Sequence, residues 1–345
     1  EMRMFNPLAG ARGSTLGRAF NALVDASRLQ QRMHNKLFIA DNAMAVSGGR
    51  NLGDAYFGKD SKGNFIDLDL LVAGPIVQDL SRSFDSYWNS DRAYPVQSLV
   101  TRKELDKIRD QAGAADAGKQ DRQATHGTSP VPESEARARA WDEKPMDLGT
   151  AAFVWAPAVV LADKPAKIAP DGGSAAAGTG KDPGLTVTQR AGRSRRAPGS
   201  GTLDAAADAA ANGDTVVEGL LQLIGQARRD LLIISPYFVP GPDMKQAFAA
   251  ARARGVRVRV LTNSLASNDA PVAHVGYARH REALLAMGVE LYELRSEQAG
   301  LGSAFGGSGS NIAGGSRSML HSKVLVMDGR FLVVGSMNLG LRSQL

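Results

Sequence analysis

A short pattern occurs twice in the chain, once toward each end. His34-Asn35-Lys36 is followed by Asp41 and by Gly48-Gly49-Arg50-Asn51. His321-Ser322-Lys323 is followed, at the same spacings, by Asp328 and by Gly335-Ser336-Met337-Asn338. Such a repeat constrains the fold strongly, because it implies two similar α/β halves whose equivalent corners can meet around one centre. Each copy reads as a strand, a turn and a returning strand. The apolar runs 37–40 and 324–327 suit buried strands, Asp41-Asn42 and Asp328-Gly329 are turn pairs, and 43–47 and 331–334 return. Side chains two apart on a strand share a face, so each His projects with its Lys. The glycines at the corner let the backbone approach a bound group and bring the Asn near that pair.

The combined set holds two imidazoles, two ammonium groups and two amides. Lysines repel a cation and the chain has no cysteine, so neither a metal nor a cofactor is expected. A phosphodiester suits the set well. Lys36 and Lys323 neutralise non-bridging oxygens, while Asn51, Asn338 and Ser336 donate hydrogen bonds to charge developing there. One His can attack phosphorus; the other can protonate the leaving oxygen and then deprotonate an acceptor. Taken singly, each residue has a plainer reading: a His-x-Lys pair on a strand, an Asp in a turn, a Gly-Ser loop. The matched duplication favours catalysis. His126 reads as solvated, and His274 and His280 as packing or surface positions on a helix, with His274 a candidate for the site mouth.

These residues resemble the signature of the phospholipase D superfamily, a duplicated His-Lys-Asp motif. The run from Gly48 to Tyr56, together with Ser235-Pro236-Tyr237-Phe238-Val239-Pro240 and the stretch from Asn263 to Asp269, is similar to bacterial cardiolipin synthases. Tyr87-Trp88-Asn89-Ser90 and Pro95-Val96 are most like those of the C type. The resemblance implies two α-β-α sandwich halves, each a mixed sheet flanked by helices, with the active site at their interface. It implies that His34 forms a phosphohistidine intermediate and that His321 is general acid and then base. Lys36, Lys323, Asn51 and Asn338 would hold the phosphate, and Asp41 and Asp328 would brace turns. Asp67, with Gly74-Pro75 after it, matches an acidic residue that orients the nucleophile, here His34. Gly49 departs from the pattern by standing where the second motif has Ser336. The acidic partner expected for His321 would lie beyond Leu345. The substrates implied are phospholipids, phosphatidylglycerol foremost and phosphatidylethanolamine beside it. The location implied is peripheral contact with a bacterial cell membrane.

Along the chain, the expected organisation is a first half over 1–101, a linker or insertion over 102–214, and a second half over 215–345. In the second half, helices are expected over 216–229, 243–254 and 272–287. Strands are expected over 231–234, 256–261 and 289–294, with Gly255 and Gly288 as helix stops. Residues 2–6 look like the counterpart of 257–263, so the first half is expected to lack earlier elements and the chain to be cut at both ends. Residues 102–143 read as helical at best. The apolar run 151–161 reads as a strand or buried segment. The Gly-, Ala-, Ser- and Pro-rich stretch 170–213 has little to bury and is expected to be disordered, and a second low-complexity stretch, 300–315, interrupts the second half just before its motif.

The net charge of +6 and a pI near 9.6 favour anionic partners. The cluster Arg190, Arg193, Arg195 and Arg196 can touch an anionic leaflet or simply solubilise a linker. No run reaches the ~20 apolar residues of a spanning helix. Three other functions compete with phosphatidyl transfer. A hydrolase would use the same residues with water as acceptor. A nuclease is permitted by the basic charge, but two motifs in one chain argue against nucleic acid as substrate. A membrane-binding protein without activity would hold the two motifs too far apart to share a phosphate.

Overall fold

The structure, a computed structural model, describes residues 1–7, 33–57, 63–100, 102–107, 109–110, 147–167, 185–188, 200–269, 271–295 and 317–339. His126, the arginine cluster and residues 300–315 lie outside these. In chain order the strands of the first part are β1 (Arg3–Phe5), β2 (Leu37–Ala40), β3 (Met44–Gly48), β4 (Gly63–Ile66) and β5 (Asp69–Ala73). Helix α1 (Pro75–Trp88) and β6 (Ala93–Pro95) follow. Next come β7 (Leu161–Asp163), β8 (Leu185–Val187), α2 (Ser200–Ala210) and α3 (Val216–Gln226). The last part runs β9 (Asp230–Ile234), α4 (Pro242–Ala253), β10 (Arg257–Asn263), α5 (Pro271–Ala286) and β11 (Glu290–Leu294). It ends with β12 (Arg317–Leu320), β13 (Val324–Met327) and β14 (Phe331–Val334).

The chain divides into two compact units, 1–33 with 87–152, and 34–86 with 153–345. In the first, β1 pairs antiparallel with β6, and Arg3 both donates to the Trp88 carbonyl at 2.8 Å and lies over the Trp88 ring. Both motifs belong to the second unit.

That second unit is α/β. Its main sheet has the order β11-β10-β9-β13-β14, parallel across β11, β10 and β9 and antiparallel thereafter. The parallel strands alternate with α4 and α5, as crossover connections require. Leu231, Ile233, Val258 and Val260 are fully buried together with Phe238, Phe248 and Leu284, forming one core. Helix α4 contributes Met244, Phe248 and Ala251, a helical stripe. Helix α3 starts at Thr215, whose side chain accepts from the Glu218 amide, a cap followed by an acidic residue in the first turn. Gly255 and Gly288 take positive φ where α4 and α5 stop.

The first motif lies on a smaller antiparallel sheet, β2-β3-β5. Ala45, Val77 and Leu80 make its core, with Val160 packed against them. A third pairing joins the parts that carry the two motifs. β4 and β12 run parallel with Ile66 opposite Leu320, and the His321 amide donates to the Ile66 carbonyl at 2.8 Å.

Three expectations differ from what forms. The run 151–161 is a strand only from Leu161, and Phe153, Val154 and Trp155 are exposed, Trp155 at 94%. Within 170–213, β8 pairs with β7 and α2 packs against α3 through Ala206 and Ala210. Alanines bury little area each, so composition underestimates a helix that closes against an apolar neighbour. The His-x-Lys residues precede β2 and β13 rather than lie on them.

Candidate active site

Each motif is shaped by its hairpin. The turns place Asp41 and Asn42, and Asp328 and Gly329, at positive φ, with Ala43 and Arg330 amides closing onto the Ala40 and Met327 carbonyls. Two successive residues at positive φ form the turn that matches strand twist, and Asp, Asn and Gly tolerate it. The two aspartates then part company. The Asp328 carboxylate accepts the amides of Arg228, Arg229 and Asp230 at 2.7–3.2 Å, binding the start of β9. Partial burial opposes its charge, but these amides outweigh it and hold the carboxyl below its ordinary range. Asp41 is exposed, and among the described residues its carboxylate has no hydrogen bond. The first turn is braced through its neighbour instead, as Gln78 donates to the Asn42 carbonyl at 3.0 Å.

The two lysines repeat one geometry. Lys36 Nζ donates to the carbonyl of His34 at 2.8 Å, and Lys323 Nζ to the carbonyl of His321. Burial lowers Lys36 to about 8, partly offset by Asp67. Burial lowers Lys323 further, to about 7, with Asp67 opposing and Lys36 adding to the fall. Both ammonium groups therefore sit close to losing their proton, and a bound anion would restore it.

The imidazoles differ. His34 Nδ1 lies 2.7 Å from the carbonyl of Ser336, so the motifs meet here. A carbonyl only accepts, which makes Nδ1 the protonated nitrogen and leaves the Nε2 lone pair available. The residue reaches solvent, but protein crowding around the ring disfavours its charged form. Lys36, Lys323 and His321 add to that against the pull of the Ser336 carbonyl, and the group falls to about 4. His34 is neutral at pH 7.

His321 is buried, and its Nδ1 is 2.7 Å from Asp67 Oδ2. The other oxygen of Asp67 accepts the Leu68 amide at 2.9 Å, and the carboxylate is fully buried. This corrects the expected role of Asp67. It stands against His321, not His34, and it supplies His321 with the acidic partner that the sequence seemed to place after Leu345. The β4–β12 register is the cause: with Ile66 opposite Leu320, the next residues of each strand are neighbours. Gly49 makes room for it, since a Cβ there would come within 2.6 Å of Asp67 Oδ1 and 2.8 Å of Oδ2. A serine like that of the second motif cannot occupy this position.

Of the remaining candidates, Asn51 reaches the same space through Tyr56. Asn51 Nδ2 donates to the Tyr56 hydroxyl at 2.7 Å, and that hydroxyl is 3.5 Å from His321 Nε2. Among the described residues Asn338 Oδ1 is buried without a hydrogen-bond partner, an acceptor that a hydroxyl, but not a phosphate oxygen, could satisfy. Among the described residues no cluster of three His, Cys, Asp or Glu is placed to hold a metal ion.

Residues 220–344 match the family model described as cardiolipin synthase, PLD-like domain. The chain is 32% identical to cardiolipin synthase C of Escherichia coli (strain K12), over 100% of this chain and 62% of that protein. Residues 220–344 thus carry a PLD-like domain. An uncharacterized protein of Helicobacter pylori (strain J99) is 29% identical over 99% of this chain and 57% of its own length. The chain thus spans about three fifths of the curated relatives it matches. Among solved structures, the phosphatidylserine synthase of Haemophilus influenzae Rd KW20 aligns at 14% identity over 90% of this chain and 55% of that one, with a TM-score of 0.47.

In this phospholipase D-like chain, several residues around the site carried no assigned role in the sequence. Tyr56 and Phe65 stack at 4.5 Å and both face the His321 ring, which Tyr237 also approaches edge-on. Asn263, fully buried, binds both backbone groups of Leu320 at 2.9 Å, fixing the residue before His321. Both lie in segments quoted for the resemblance, but their purpose is visible only where distant elements converge.

Proposed function

We propose that this protein is a cardiolipin synthase-like phosphatidyltransferase working through a covalent phosphohistidine. The observation that carries the reading is the pairing of unlike histidines in one lysine-lined centre, one neutral at Nε2 and one held by a buried carboxylate. His34 Nε2 attacks the phosphorus of a phospholipid. The bond to the headgroup oxygen breaks, and the His321 imidazolium delivers its proton to that oxygen. Asp67 keeps the His321 ring oriented through Nδ1, as the aspartate of a catalytic triad does. Lys36, Lys323, Asn51, Asn338 and Ser336 stabilise the phosphorane oxygens. In the second half, His321 takes the proton of a phosphatidylglycerol hydroxyl, whose oxygen attacks phosphorus. The phosphorus–nitrogen bond breaks, and cardiolipin leaves with His34 restored.

The 32% identity with cardiolipin synthase C along the whole chain supports transfer to an alcohol. No helix among the described residues is long and apolar enough to cross a membrane, and the reading adds peripheral contact with the lipid surface. The test is to supply labelled phosphatidylglycerol, with and without phosphatidylethanolamine, in mixed micelles. Labelled cardiolipin is the expected product. Phosphatidic acid alone would replace transfer by hydrolysis, and no turnover of either lipid would reject a lipid-transfer role.

A further inference from the structure

The reading above leaves Arg50 and Asp69 without a task, yet they make the densest polar arrangement beside the site. Arg50 Nε donates to Asp69 Oδ2 at 2.6 Å, and its backbone amide is 3.3 Å from Asp69 Oδ1. The far end of the same guanidinium donates to the carbonyl of Tyr56 and reaches the carbonyl of Asp67 at 3.5 Å. The Phe57 ring lies 5.6 Å from it. One side chain therefore ties its own corner of the first motif to the loop carrying Tyr56 and to the segment carrying Asp67. Those two segments supply groups that touch the two nitrogens of His321, with Lys323 Nζ also 3.1 Å from Nδ1.

The glycines of the corner interlock with this arrangement. Gly48 pairs with Asp69 across β3 and β5, and a Cβ at Gly48 would overlap the Asp69 carboxylate. A Cβ at Gly49 would meet Asp67. Two successive glycines thus admit two carboxylates two residues apart, one facing Arg50 and one facing His321. The arginine fork offers several donors in fixed directions, which a lysine ammonium cannot match. The ion pair is mostly sheltered, with the side chains 31% and 16% exposed, so its geometry is better defined than that of a surface pair.

We propose that Arg50, locked by Asp69, is a positioning residue for acid–base catalysis, holding Asp67 and Tyr56 in register with His321. The proposal rests on the proposed role of His321. The nucleophilic step at His34 does not depend on it, because His34 is anchored by the Ser336 carbonyl, which Arg50 and Asp69 do not touch.

The test uses Arg50→Gln, Arg50→Lys and Asp69→Asn in the 345-residue chain with three readouts. The first is the low-field proton resonance of the His321–Asp67 hydrogen bond, identified by its absence in His321→Asn. The second is covalent labelling of His34 by bis(p-nitrophenyl) phosphate, whose leaving group needs no protonation. The third is turnover of phosphatidylglycerol. In Arg50→Gln and Asp69→Asn the resonance should shift or vanish and turnover should fall about 10- to 100-fold, the size of loss expected from small misplacement of a catalytic group. Labelling should stay within about threefold, since the misplaced group takes no part in that step. Arg50→Lys should fall between. An unmoved resonance, or labelling and turnover falling in parallel, would overturn the proposal. Absence of labelling and turnover in the unaltered chain would instead reject the enzymatic reading, and the resonance would still decide the positioning role. If Arg50→Gln fails to fold, the other two variants decide by the same readouts.

Discussion

His34 meets a carbonyl where His321 meets a carboxylate, and on the proposed reading that difference sets which attacks and which shuttles a proton. A neutral imidazole at about 4 is a nucleophile over the whole physiological range, while two lysines at about 7 and about 8 supply charge only below those values. The signs follow directly. As pH falls through about 4, His34 gains a proton and loses its lone pair. As pH rises through about 7 to 8, Lys323 and then Lys36 lose the charge that draws phosphate. The expected kcat/KM profile is therefore a bell with limbs near those values, because this ratio reports the free enzyme. A profile still rising from pH 5 to pH 7 would assign the acid limb to another group. His34→Asn should abolish both turnover and the covalent intermediate, by a factor approaching ~10⁶ if it resembles other nucleophile deletions. The sequence named these residues because a repeated spacing is visible without coordinates. The resemblance pointed Asp67 at His34, whereas strand pairing places the carboxylate against His321. Arg50 and Asp69 stood in plain view but had no repeat to mark them.

The two hairpins share a backbone path and differ in what surrounds them. β13 is paired on both edges, with β9 and β14, and Asp328 pins the start of β9. Among the described residues β2 is paired on one edge, with β3, and Phe38 on it is 69% exposed. The same motif aspartate is thus a structural bolt in one copy and a turn residue in the other. Both sit at positive φ, so replacement by alanine brings a similar backbone cost at each, and the difference isolates the hydrogen bonds. Asp328→Ala should cost about 1–3 kcal/mol more than Asp41→Ala, since it removes hydrogen bonds from three amides, that of Asp230 part-buried, to a charged group. Urea denaturation of the two variants measures this, and equal losses would reject the bracing role. α3, with its apolar periodicity, was legible, as were α4 and α5 through the glycine stops Gly255 and Gly288, and the strands between them. The exposed Phe153-Val154-Trp155 and the alanine helix α2 were not, because hydrophobicity along a sequence does not say what neighbour is available to cover it.

At the scale of the whole molecule, charge and the proposed substrate point the same way. On the proposed reading, a chain with net charge +6 has to hold its site at a negative surface long enough for two lipids to react in turn. Among the described residues no helix can span the bilayer, so any hold these residues provide must come from the surface: long-range attraction by basic side chains plus contact by exposed apolar ones such as Trp155 and Leu52, the latter beside Asn51. These two contributions respond differently to salt. Each basic residue near an anionic leaflet adds roughly 1 kcal/mol, and that part fades as the screening length drops from about 10 Å at 0.1 M to about 3 Å at 1 M. Burial of aromatic or leucine side chains in the interface does not fade. If charge carries the attachment, co-sedimentation with phosphatidylglycerol-rich vesicles should weaken about tenfold or more over that range, the loss of little more than one such contact. Vesicles of phosphatidylcholine alone should bind poorly at either salt concentration. Retention unchanged at high salt, together with loss on Trp155→Ala, would transfer the anchoring role to the apolar segment. Binding equal on both lipids would remove the electrostatic account altogether, and with it the reason to expect the site to find an anionic phosphodiester at a surface before one in solution.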